Sequence, residues 1–169
     1  MSLKKVWVWV AAAAVMLGVG LVGSEVIAQG GLRIGGSSSN FGRTTIRGGF
    51  VPDPWSTTIT SGGSIDVSRA GLAPGCRGFV TGQPDYIVDY TQAASFVRFY
   101  FVAGGDTTLV INDAGGGWHC NDDSYGGLNP SVDIGRPPSG QYDIWVGSYR
   151  ANQNIRGTLY VTEIQGNHP

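Results

Sequence analysis

Hydrophobic and polar positions alternate along this chain in short runs. Phe96, Arg98 and Tyr100 interleave with Val97, Phe99 and Phe101, and Tyr142, Ile144 and Val146 interleave with Asp143, Trp145 and Gly147. A period of two is that of a β-strand, whose successive side chains point to opposite faces. Neither alternation is purely polar on one side, as expected where strands place aromatic residues on both faces. Runs of the same kind predict strands over 64–69, 85–91, 95–103, 107–113, 131–135, 141–149 and 157–164. Between them lie turn-forming stretches such as "AGGG", "SYGG", "RPPSGQ" and "RANQN". Beyond the N-terminal apolar run, glycine or proline breaks every stretch before a helical period is established. The pattern predicts an all-β domain over 50–164, a two-sheet antiparallel β-sandwich of jelly-roll type, followed by a short tail over 165–169.

The first residues carry a different signal. Lys4 and Lys5 precede an apolar run from Val6 to Val22, and Val26–Ala28 supplies the small residue at a peptidase site. We read 1–28 as a secretory signal removed before Gln29, which places the mature protein outside the cell or in the periplasm. An uncleaved membrane anchor is the alternative, since the run approaches the roughly 20 residues that span a bilayer. From 29 to 49 the chain is rich in glycine and serine and reads as a flexible leader. Within it "RTTIR", Arg43 to Arg47, has the composition of a strand with no neighbour in sequence to pair with.

Removal of the signal takes away Lys4, Lys5 and Glu25, leaving nine arginines against eleven acids. That balance, without any basic run, argues against a nucleic-acid partner. Cys76 and Cys120 both fall in the exported part, where oxidising conditions favour a disulfide. The competing reading makes Cys120 a nucleophile with His119 as its base. Neighbours on an extended segment point to opposite faces, which is a poor catalytic geometry.

The densest chemistry is "HCNDDSYGGLNP", His119 to Pro130. Asn121, Asp122 and Asp123 are oxygen ligands in a row, Asp113 ends the preceding strand across "AGGG", and Asn129 closes the loop. A glycine turn folding back would bring Asp113 against the "NDD" group. Two readings compete: a hard-cation site, or an ordinary turn held by side-chain to backbone bonds. No catalytic reading assembles from these residues. His119 and His168 are the only histidines, no "GxSxG" elbow is present, and the mature chain has a single glutamate, Glu163.

The run Asp106 to Tyr149, with "DTTLVI", "CNDD" and "SGQYDIWVGSY", resembles the bacterial pre-peptidase C-terminal domain, and with "CRGFVTGQPDYIVDYT" upstream the likeness covers Phe50 to Glu163. The resemblance implies a secreted β-sandwich that binds or positions polymers and proteins, stiffened by calcium. It favours calcium at Asp113, Asn121, Asp122, Asp123 and Asn129 over the plain turn. Trp118 and Tyr125, in the glycine-rich loop, are the aromatic candidates for surface contact; the other aromatics are expected in the core. The expected function is a non-enzymatic, calcium-binding extracellular module for a protein or polysaccharide surface. Two alternatives are a filament or matrix subunit assembled by strand addition of the leader, and an accessory or inhibitory domain for a secreted protease.

Overall fold

The computed structural model describes residues 25–169, so the apolar run Val6–Val22 and its basic flank lie outside the described residues. The strands are β1 (Val26–Ile27), β2 (Arg33–Ile34), β3 (Arg43–Arg47), β4 (Trp55–Thr60), β5 (Ile65–Asp66), β6 (Phe79–Val80), β7 (Tyr86–Thr91), β8 (Phe96–Ala103), β9 (Thr107–Asn112), β10 (Trp118–Asn121), β11 (Ser131–Gly135), β12 (Gly140–Ser148) and β13 (Arg156–Thr162). One sheet runs β4–β13–β8–β11 and the other β7–β12–β9–β10. Counting β4 and β7–β13 as one to eight, the orders are 1-8-3-6 and 2-7-4-5, the jelly roll expected from the strand pattern.

The two sheets close on a core of Ile59, Val88, Val97, Phe99, Phe101, Leu109, Ile111, Ile144 and Leu159, with the Tyr142 ring stacked on Phe99. Each fully buried large apolar side chain contributes roughly 1.5–3 kcal/mol. A second, smaller core lies on the outer face of the β12 sheet, where Trp145, Val110, Val80, Val67 and Leu32 pack beneath the excursion 61–80. Tyr142 and Trp145 therefore serve different cores from opposite faces of β12, as their spacing implies.

Three sequence expectations are corrected. The stretch 64–69 is a strand only at Ile65–Asp66; Asp66 then accepts hydrogen bonds from Ser68 N and Oγ and turns the chain into a single 3-10 turn, Val67–Arg69. Trp55–Thr60 and Trp118–Asn121 are strands that the predicted set leaves out. The segment 29–49 is no flexible leader. Leu32 is fully buried in the second core, Ile46 is buried in the first, and β3 pairs with β7 over five residues, Arg43↔Ile87 to Arg47↔Thr91. That pairing is parallel, so the otherwise antiparallel sandwich has one exception. Average composition hid it: two apolar residues anchor the segment, and the domain satisfies its backbone polar groups.

Candidate functional site

β9 and β10 form a hairpin whose register pairs Trp118 with Asn112 and Asn121 with Leu109. Asp113 begins the turn. Its Oδ1 accepts from Gly115 N and Gly117 N, both at 2.8 Å, and its Oδ2 meets His119 Nε2 at 2.7 Å. Burial raises the pKa of this carboxyl, but the bonds from His119, Gly117 and Gly115 outweigh it and hold the group below its ordinary value. Asp113 is thus a turn-forming residue whose side-chain hydrogen bonds all go to its own hairpin.

At the other end of the hairpin, Asn121 Oδ1 accepts from Ser131 N at 2.9 Å and Asn129 Oδ1 accepts from Ala103 N at 3.0 Å. Between these anchors Ser124 Oγ donates to Asn129 O, Gly127 N donates to Ser124 O, and Tyr125 takes a positive φ of 51°. Asp122 lies 3.5 Å from Arg77 Nε, and Asp123 is exposed. The loop 122–130 is therefore shaped by side-chain to backbone bonds of its own.

Calcium takes six to eight oxygens within about 2.3–2.6 Å. The five candidate ligands do not meet that demand as one site. Four residue steps of strand, about 13 Å, separate Asp113 from the level of Asn121, and both asparagine oxygens are engaged by main-chain N–H groups. Among the described residues no group of three or more His, Cys, Asp or Glu side chains converges on a metal position. The expected meeting of Asp113 with Asn121, Asp122 and Asp123 is corrected accordingly: the turn reverses the chain, so Asp113 stays at the turn while the "NDD" group travels to the far end.

The acid that does face Asp122 and Asp123 is Asp106, just before β9. Burial raises its pKa first, and repulsion from Asp123 and Asp122 raises it further, against an opposing pull from Arg150. Its Oδ1 is buried without a hydrogen-bond partner. Counting residues back across the "DAGGG" turn would have placed 122–123 opposite 107–108 and so found Asp106. A cleft of about 520 Å³ opens beside it, lined by Gly105, Asp106, Leu128, Arg150 and Gln153.

Of the two aromatic candidates, Trp118 is half-buried, packing against Trp145 of the second core with ring centroids 5.7 Å apart. Tyr125 is 55% exposed, as is Leu128, a residue that sequence reasoning passed over. The Tyr125 ring stacks on His168 at 4.0 Å and lies 5.3 Å from the Arg98 guanidinium. Arg98 holds the C-terminal tail in place, donating through Nη1 to Gln165 O and Asn167 O while its Nε and Nη2 grip Asp133.

Cys76 and Cys120 form the expected disulfide, which staples the excursion 61–80 to the edge strand β10. No family model, no curated protein and no solved structure matches this chain.

Proposed function

We propose that this chain is a secreted, non-enzymatic jelly-roll module that binds an extracellular protein or polysaccharide surface through the end of the sandwich formed by the loops 104–106, 122–130 and 149–155. The observation that carries the reading is the held loop 122–130. Its own hydrogen bonds and the anchors at Ala103 and Ser131 fix its backbone, while Tyr125 and Leu128 remain exposed beside a cleft bearing Asp106 and Arg150. A preorganised loop with exposed apolar and aromatic tips loses little conformational entropy on binding. The disulfide supports an oxidising compartment, and the likeness to pre-peptidase C-terminal domains supports a positioning role. Because the five candidate ligands do not form one site, the loop's rigidity is assigned to its hydrogen bonds and not to calcium.

The reading is tested by passing the oxidised protein over immobilised collagen, cellulose, chitin and peptidoglycan, alongside Leu128→Asp and Arg150→Glu. Retention on at least one polymer, weakened about tenfold or more by both substitutions, is expected for a rim of this kind. Equal behaviour of all three proteins on every surface overturns it.

A further inference from the structure

The jelly roll is complete in its eight strands between Trp55 and Thr162, and β3 stands outside that count. It fills the free edge of β7, the second jelly-roll strand. Ile46 enters the core beside Tyr86, Val88 and Tyr90, and Arg43 grips Asp89 through Nε at 2.5 Å and Nη2 at 2.6 Å. The residues ahead of β3 bond to the same domain. Arg33 N donates to Gly82 O, Gly35 N to Asp143 Oδ2, Asn40 N to Pro84 O and Phe41 N to Asp85 O. Within 33–47 the bonds that the segment makes to itself are those between Ser39 and Gly42. The segment is a ribbon laid on a finished fold, joined to it through 48–54, whose Val51 is 92% exposed.

We infer that the segment 25–47, with Leu32 leaving the second core and Ile46 the first, exchanges between copies of this chain, β3 of one molecule docking on β7 of the next. The occupant is specified by the groove itself: five ladder positions, a pocket filled by Ile46 and a carboxylate placed for an arginine four residues from the end of the strand. A second copy carries all of these in the same register. Withdrawal of the ribbon leaves the β7 edge and the Tyr86–Tyr90 face uncovered, and an exposed edge of this kind recruits a strand. Each transfer remakes the bonds it breaks, so concentration sets the balance between the closed monomer and the exchanged form. A head-to-tail donor and acceptor closes into a ring or runs on as an open chain. The inference goes beyond the binding role proposed for the loop 122–130 and does not depend on that loop's ligand.

The register pairs Arg47 with Thr91, both exposed. The full chain carrying Arg47→Cys and Thr91→Cys is oxidised at a series of protein concentrations and run on a non-reducing gel, with light scattering on the same samples. Closed pairing gives an oxidised monomer. Exchange gives covalent dimers and higher rungs whose share rises severalfold with concentration. A mixture of the two single-cysteine chains then gives the disulfide-linked heterodimer in clear excess over the two homodimers, a bias that random collision of exposed thiols does not produce. Oxidised monomer alone at every concentration, with heterodimer at no more than its statistical share in the mixture, overturns the inference, as does failure of the double variant to oxidise at all.

Discussion

Asn40 Nδ2 lies 2.8 Å from Asp85 Oδ1, so the ribbon is tied to the jelly roll by a carboxylate that is only 1% exposed. The other oxygen of Asp85 accepts from Val146 N at 2.8 Å. Burial pushes this carboxyl up to about 6, against the pull of Asn40, Val146 and Thr81. A group raised in the folded state stabilises it fully below its unfolded value, and that contribution is lost as pH rises through the folded value. Between pH 4 and 7 the native protein should therefore lose on the order of 3 kcal/mol through this one group. Denaturant titrations of the wild type and Asp85→Asn across that range should show a stability difference that drifts by this amount. Parallel pH profiles for the two proteins would contradict the assignment.

Asp113 predicts a different behaviour. With Gly115, Gly117 and His119 as its partners, Asp113→Asn should cost about 1–2 kcal/mol by loosening the β9–β10 turn. The loss should be the same in chelator and in millimolar calcium, because the residue serves its own hairpin. A decrement seen only with calcium present would show instead that Asp113 is a ligand.

Cys76 and Cys120 are 44 residues apart, and on the chain-entropy account a loop of that length is worth about 4 kcal/mol. Replacing both with alanine should lower stability by roughly 2–4 kcal/mol. The damage should be local to the second core: amide exchange should quicken first in β10 and in 70–78, and emission from Trp118 and Trp145 should shift to longer wavelength. Uniform loosening of both cores would count against a staple acting on this face.

Arg98 is 4% exposed and holds Asp133 and two tail carbonyls at once. Lysine lacks the planar fork that makes these bonds together, so Arg98→Lys should cost about 1–3 kcal/mol. It should also free 165–169 for carboxypeptidase, which tests the clamp apart from global stability. Unchanged digestion would mean that the tail is held by other contacts.

How much of this was legible in the sequence depended on what the chain's periodicity encodes. Val97, Phe99 and Phe101 interleaved with Arg98 and Tyr100 gave the strand but not its inner face, because Arg98 and Tyr100 are buried as well and the pattern is not polar on either side. Trp55–Thr60 was missed since "WSTTIT" places only Ile59 deep in the core and follows two prolines; its pairing with β13 is fixed from the far end of the chain. Leu32 and Ile46 were invisible as anchors because single apolar residues in a glycine-rich stretch carry no period. At the candidate site the residue types were visible but their partners were not. Asp113 and Asp106 are both aspartates flanking β9, and only the hairpin register decides which of them faces Asp122 and Asp123.

The pairing of β4 with β13 has a bearing on biosynthesis. The first jelly-roll strand binds the last, over Trp55↔Val161 to Thr60↔Arg156, so Trp55–Thr60 stays unpartnered until synthesis has passed Thr162. Nearly the whole chain must leave the ribosome before the smaller sheet can close, and long-range closure of this kind is slow. The outermost strand of that sheet is thus the first to be made and the last to find its place.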